Sequence, residues 1–280
     1  MALLAPQFID SVVAIGRDDP LAVGTIRWVA SGFLYGRYRP DIPAINDKKL
    51  YTPYLVTNRH VIENLDKMFL RFNPVGDEPA REFRLELLGE ENQYWFCHPD
   101  DTVDVAVLPV NYSYLEEQSM QIYCIKGDDQ ATCIDRMAEL GFAEGDFVYA
   151  LGFPMELVGE TRNAVLVRHG CVARIHDIYS RVSKDFLIDC FTYPGNSGGP
   201  VFSKPEPLHH IQGTKSQSAS FLIGIVSSSI SYVDVAYSRQ TQRPRITFED
   251  NSGLTAVLPV DYIEEAINVH LASVSAVEKE

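Results

Sequence analysis

Short runs of β-branched and aromatic residues recur along the whole chain, at 11–16, 24–34, 51–57, 68–73, 103–109, 146–151, 164–175, 185–191, 199–203, 221–229 and 254–259. Clusters of Gly, Pro, Asn and Asp separate them. Many short strands with turn signals between them predict an all-β sandwich or barrel. The chain has 280 residues, of which 46% are hydrophobic and 22% charged, so there is ample material for a large core. All-β barrels can exceed 200 residues as one domain, so length alone does not require two.

Helical spacing is confined to two places. Between Asp129 and Leu140, apolar residues fall at Cys133, Ile134, Met137 and Leu140, and Gly141 follows as a C-cap. This predicts a core-facing helix on a connector spanning 113–143. Near the C-terminus, Ile263, Ala266, Ile267 and His270-Leu271 form one helical face. Asp261 is the expected N-cap, with Glu264 completing a capping box, and the tail is expected to fray from about 273. Three polar segments, 36–53, 203–220 and 230–252, read as loops too long for ordinary hairpins, and loops of that kind tend to be functional.

Charge narrows the partners. Asp and Glu outnumber Lys and Arg by 38 to 24, a net charge of −14, which argues against nucleic-acid binding through a basic surface. No run of about 18 apolar residues is present, so no membrane span is expected. Met1 to Gln7 lacks the basic and apolar regions of a signal peptide. Cys97, Cys124, Cys133, Cys171 and Cys190 are odd in number and scattered, which suggests reduced thiols and a cytoplasmic location. His209-His210 has no Cys or acidic cluster at ligand spacing, so no metal is expected.

Chemistry concentrates in Gly195-Asn196-Ser197-Gly198-Gly199-Pro200. A serine hydroxyl needs a base and a set of oxyanion donors before it is a useful nucleophile. Glycines on either side let the backbone turn sharply and aim N–H groups inward. Among seven histidines, His60 stands out, delivered from the end of the β-type run Tyr54-Leu55-Val56-Thr57 into a short turn. Asp104 opens the apolar strand Val105-Ala106-Val107-Leu108, where an acid is costly unless paired. A carboxylate of this kind would orient the imidazole and support its charge. His98, His169, His176, His209, His210 and His270 lack such context and read as structural or exposed. Gly195-x-Ser197-x-Gly199 also spells a nucleophile elbow, but that fold places the serine before its acid and histidine. Here the order is His60, Asp104, Ser197.

This order and these motifs resemble the chymotrypsin-fold serine proteases. Several stretches resemble the HtrA-type branch more specifically: Ser31-Gly32-Phe33, Leu55-Val56-Thr57-Asn58-Arg59-His60-Val61, Gly145-Asp146-Phe147-Val148-Tyr149-Ala150-Leu151-Gly152-Phe153-Pro154 and Thr255-Ala256-Val257-Leu258-Pro259-Val260. The likeness runs from about Phe8 to about Leu271. It departs at Phe191, in long insertions, and in leaving no room for the PDZ domain that usually follows. Secreted relatives commonly place a paired Cys directly before the histidine, where this chain has Arg59.

The resemblance implies an all-β fold of two six-stranded antiparallel β-barrels with the active site between them, plus a C-terminal helix. Their expected extents are 1–112 and 144–259, followed by 260–280. It implies a serine endopeptidase with the triad His60, Asp104 and Ser197, and an oxyanion hole from the Gly195 and Ser197 N–H groups. Ser227, Ser228 and Ser229 would lie on the strand that pairs with substrate. Phe191, six residues before the nucleophile, would lie at the base of the pocket for the residue before the cut, with Thr192 beside it. Neutral residues there favour small aliphatic side chains over Arg or Lys, with Asp189 and Asp234 as the acids able to reverse that preference. No metal or organic cofactor is implied. The expected partner is a protein or peptide substrate. The competing reading is a latent or inactive protease-like scaffold that binds a partner peptide in the same cleft.

Overall fold

The computed structural model describes residues 4–43, 49–89, 93–206 and 218–277. Fourteen strands form in chain order: β1 (Val12–Asp18), β2 (Ile26–Tyr38), β3 (Tyr51–Thr57), β4 (Lys67–Phe72), β5 (Arg81–Glu86), β6 (Phe96–Cys97), β7 (Ala106–Pro109), β8 (Ile125–Lys126), β9 (Phe147–Gly152), β10 (Leu166–Arg174), β11 (Phe186–Asp189), β12 (Pro200–Ser203), β13 (Leu222–Tyr237) and β14 (Pro244–Pro259). Short helices α1 (Pro6–Ile9), α2 (Arg59–Ile62), α3 (Tyr112–Glu117), α4 (Ile134–Leu140) and α5 (His176–Tyr179) punctuate them, and α6 (Val260–Val277) closes the chain.

Strand pairing divides the molecule into two β units. The first is an eight-stranded sheet in the order β5-β4-β1-β2-β3-β7-β6, with β8 added in parallel to β2. A bridge between Leu88 and Gln93, and a bond from Tyr94 N–H to Leu87 C=O (3.0 Å), link its two ends. The second is a closed barrel of six antiparallel strands, β10-β11-β14-β13-β12-β9. The molecule is thus mostly β, with eight strands in the first unit, one of them parallel, six in the closed second barrel, and a C-terminal helix.

Alternation along the strands explains why the barrels pack together. Successive side chains point to opposite faces of a sheet. On β1, Val13 and Ile15 enter the interior of the first barrel beside Leu34, Leu55, Leu70 and Leu108. Val12 and Ala14 face the other way, into a core shared with Leu151, Phe153, Phe202 and Leu258 of the second barrel. Helix α6 adds Ile263, Ala266 and Ile267 to that shared core, the face its spacing predicts. The interior of the second barrel is a separate cluster of Val148, Ala150, Val172, Ile188, Val201, Ile223 and Val257.

Four expectations need correction. The connector helix begins at Ile134, not near Asp129, because residues 130–132 pair with the start of β13: Thr132 N–H bonds Leu222 C=O and Leu222 N–H bonds Gln130 C=O. Its C-cap is as expected, with Gly141 left-handed at φ +81° and Ile134 and Met137 buried. The capping box does not form. The Asp261 carboxylate instead accepts the N–H of Ile134 (2.8 Å), and Glu264 accepts from the Tyr35 hydroxyl and pairs with Arg37. Helix α6 also continues to Val277 rather than ending near 273. Most of 230–252 is not a loop: β13 and β14 extend as a two-stranded ribbon beyond the barrel. His209-His210 lies outside the described residues.

Candidate active site

The pairing of β3 with β7 brings two of the predicted residues together. Thr57 lies opposite Ala106, so the chain leaving β3 passes the chain entering β7. Asn58 stays extended and its side-chain amide donates to the Asp104 carbonyl (2.7 Å). The turn into α2 then swings His60 over Asp104. The His60 backbone N–H donates to Asp104 Oδ1 (3.0 Å), and His60 Nδ1 lies 2.6 Å from Oδ2. Both carboxylate oxygens are thus engaged by one residue. With Nδ1 as the donor in this pair, Nε2 carries the lone pair. The hydrogen bond to Asp104 outweighs burial and raises the His60 pKa above its ordinary value of 6.5.

Ser197 comes from the segment joining β11 to β12. Its carbonyl accepts the N–H of Ser31 on β2 (2.9 Å), which ties it to the first barrel. Gly198 N–H donates to Val226 C=O (3.0 Å), and Val226 N–H donates to Gly199 C=O (2.9 Å), which ties it to β13. The turn requires glycine. Gly195 and Gly198 adopt φ of +102° and +83°, and a Cβ on them would lie 2.4 Å from Phe153 O and 2.1 Å from Ser31 O respectively. Among the described residues, the Ser197 hydroxyl makes no hydrogen bond, including to His60. Such contacts are often long without substrate and tighten when it binds.

The N–H groups of Gly195 and Ser197 have no acceptor among the described residues. The orientation of the first is set by its own peptide bond, since C=O and N–H point in opposite directions across a trans peptide. Pro194 C=O accepts the N–H of Met155 (2.7 Å), which turns the Gly195 N–H away from that loop. Gly195 C=O in turn accepts the hydroxyl of Ser31 (2.7 Å), whose oxygen also accepts Phe153 N–H (2.9 Å). The Ser197 turn thus keeps two backbone donors, at Ser197 and two residues before it, without an acceptor among the described residues.

The loop that holds Pro194 is itself strained and anchored. Met155 and Glu156 are both left-handed, at φ +54° and +61°, a conformation costing about 1–2 kcal/mol per residue. Glu156 pairs with Arg27 (2.6 Å). Further along, buried Arg71 of β4 donates to the carbonyls of Val158 (3.3 Å), Gly159 (2.9 Å) and Glu160 (3.2 Å). Asn73 and Asn163 bond reciprocally, and Arg162 reaches Glu78 and Pro74 carbonyls. A loop of the second barrel is therefore clamped to the first. Ser31, Met155 and Arg71 carry this arrangement, and sequence reasoning assigned a role to none of them.

Phe191 is half-exposed, its ring beside Gly253. Thr192 is buried, its hydroxyl sharing a bond with Thr255 (2.7 Å) and its carbonyl accepting from Asn251. Ser227 to Ser229 follow Val226 on β13, beside the Ser197 turn. Asp189 ends β11, exposed, and Asp234 lies out on the ribbon, exposed. The other described histidines have structural partners: His98 with Glu265, His176 with Glu144, His270 with Tyr54, and His169 against Phe147. All five cysteines are free. Among the described residues, no cluster of His, Cys, Asp and Glu is arranged to hold a metal ion, and no helix is long and apolar enough to cross a membrane.

Two barrels with a histidine–carboxylate pair and a glycine-flanked serine at their junction define the class of trypsin-like peptidases. The trypsin-like peptidase domain family matches residues 30–206, more than half of the chain, and the chain belongs to that family. No curated protein matches the sequence. Among solved structures, the chain is similar to the apo MamO protease domain from Magnetospirillum magneticum, at 16% identity and a TM-score of 0.46, covering 92% of this chain and 96% of that one.

Proposed function

We propose that the protein is a serine endopeptidase of the HtrA-type branch, working through an acyl-enzyme. Ser197 Oγ attacks the scissile carbonyl carbon while His60 Nε2 takes the hydroxyl proton. Asp104 holds the ring by Nδ1 and supports the imidazolium. The Gly195 and Ser197 N–H groups receive the oxyanion. Collapse breaks the C–N bond, and His60 passes its proton to the leaving amine. Water, deprotonated by His60, then attacks the ester, and the proton returns to Ser197 as the acid product departs.

The observation that carries this reading is the double engagement of Asp104 by His60, at 3.0 Å through the backbone and 2.6 Å through the ring. Glu144 holds His176 in the same double way, so the tether counts here because of where it stands: Thr57, at the end of the strand that delivers His60, lies against Gly198 of the Ser197 turn. Substrate backbone pairs with Ser227–Ser229 by strand addition. Phe191 supplies bulk and no charge, so the residue before the cut is small and aliphatic rather than Arg or Lys. One observation favours the second reading, a latent scaffold: the Ser197 hydroxyl is not bonded to His60.

A fluorophosphonate probe separates the two. Labelling at Ser197, lost in Ser197→Ala together with several orders of magnitude of peptide hydrolysis, is the expected result. An unlabelled, well-folded wild type supports the scaffold. A Ser197→Ala variant that still cleaves assigns the nucleophile elsewhere.

A further inference from the structure

Strand β13 begins inside the barrel and ends outside it. Up to Val226 it is paired on both sides, with β14 on one edge and with β12 and the Gly198-Gly199 turn on the other. From Ser227 to Tyr237 its only strand partner among the described residues is β14. One backbone edge is therefore open, and it opens next to Ser197. At about 3.3 Å per residue, the open edge runs roughly 35 Å.

Proteins usually blunt such an edge with Lys, Pro or a bulge. Here the edge reads Ser227-Ser-Ser-Ile-Ser-Tyr-Val-Asp-Val-Ala-Tyr237, with no Lys, Arg or Pro and one acid. Register shifts fall between Val226 and Ser228, between Ser229 and Ser231 and between Ala236 and Tyr237, but the ladder is regular from Ser231↔Asn251 to Ala236↔Ile246, so no bulge turns the edge aside over those six residues. The faces are also unprotected. Residues directly opposite one another share a face. Tyr232, Ile246 and Phe248 therefore line one side and Val233 the other, all more than half exposed. Asp234 and Asp250 lie on the same face as Tyr232 and Phe248, with Glu249 on the opposite face.

We propose that this ribbon extends the substrate cleft: the open edge of β13 binds, as an added antiparallel strand, the segment of substrate upstream of the cut. The inference rests on the peptidase reading. A chain paired antiparallel with Ser227–Ser229 has its upstream residues directed toward Tyr237, along the same edge. The occupant must be extended over roughly eight residues or more, which selects unfolded or strand-forming polypeptide over compact substrate. Its side chains alternate between the faces, so apolar residues meet Tyr232 and Phe248, and Lys or Arg meets Asp234 and Asp250. The net charge of −14 favours the same basic segment at long range.

The test uses the full chain and three peptides with identical residues around the cut. One has four upstream residues, one has ten that alternate Val and Lys, and one carries that extension downstream instead. The upstream extension is expected to raise kcat/KM about tenfold or more, mainly through KM. Replacing residues 232–250 by Asn-Gly, a two-residue turn between the paired Ser231 and Asn251, is expected to bring the ratio of long to short peptide near one. Because that replacement is large, D234K/D250K is a second variant, expected to reverse the preference from Lys-containing to Glu-containing extensions. A gain that survives shortening of the ribbon overturns the inference, as does a gain from the downstream extension only. If the short peptide is cleaved but upstream length adds nothing, the inference fails and the peptidase reading stands. If none of the three peptides is cleaved, both fall.

Discussion

Arg71 is remote from Ser197 in sequence, yet its loss should disable the oxyanion hole proposed at Gly195 and Ser197. The guanidinium is buried, the residue only 7% exposed, and it donates to three consecutive carbonyls, those of Val158, Gly159 and Glu160. Hydrogen bonds from a charged donor are worth about 1.5–3 kcal/mol each. Arg71→Met forfeits these but also relieves the desolvation of a buried cation. The net weakening of loop docking is then about 2–4 kcal/mol, or roughly 30- to 700-fold in the ratio of docked to free loop. A free loop no longer presents Met155 N–H to Pro194 C=O, and the peptide carrying the Gly195 N–H can rotate. That factor is the ceiling on the loss of kcat, and it agrees with the roughly 10²–10³ seen when one oxyanion donor is removed. The assay is steady-state cleavage of a chromogenic peptide, with kcat and KM resolved, beside thermal unfolding. The expected pattern is a large fall in kcat, a small change in KM, and partial rescue by Arg71→Lys, whose single point charge cannot span three carbonyls. A variant with lowered Tm but wild-type kcat would refute the coupling, because the loop would then be free without consequence for the hole.

Activity should rise with pH through an apparent pKa above 6.5, because the Asp104 hydrogen bond raises that of His60 and the base must be neutral. Asp104→Asn should move that limb downward as well as lowering the plateau; a limb that stays in place would detach Asp104 from the base. The stability contribution of this pair has the opposite sense: it is complete below about 6.5 and is lost as pH rises through the folded value. On the acid side, Glu144 bears a burial cost that would raise its pKa, but bonds from the Ile175 and His176 N–H groups and the His176 ring hold it down at about 2. Its contribution is present above the ordinary value of 4.5 and is lost as pH falls toward 2. Glu144→Gln should therefore flatten acid unfolding in that window, and an unchanged acid limb by circular dichroism would contradict the assignment. Profiling a random peptide library should return cleavage after Val, Ala or Leu. Dominant cleavage after Arg or Lys would instead direct attention to Asp189, through Asp189→Ala.

Local chemistry was legible in the sequence where a residue's neighbours along the chain determine its state. The run Tyr51–Thr57 forms the strand expected of it, because its apolar and β-branched residues pack on both faces. Gly141 ends its helix left-handed, as a C-cap glycine should. His60, Asp104 and Ser197 each stand at the edge of a strand-like run, where a polar residue is conspicuous. Signals failed where the deciding partner is distant. Asp261 and Glu264 have the spacing of a capping box, but Ile134 N–H, the Tyr35 hydroxyl and Arg37 claim their carboxylates. Residues 130–132 begin a helical pattern, yet pairing with Leu222 keeps them extended. The ribbon at 230–252 reads as a loop because it is solvated on both faces, and a strand with no buried side has no alternation to show. Arg71 looks like any charged residue on a strand; its meaning comes from three carbonyls nearly ninety positions away. Backbone preference and side-chain polarity are local properties and can be read along the chain. Which carbonyl meets which donor depends on how two barrels close against each other, and only the folded structure decides that.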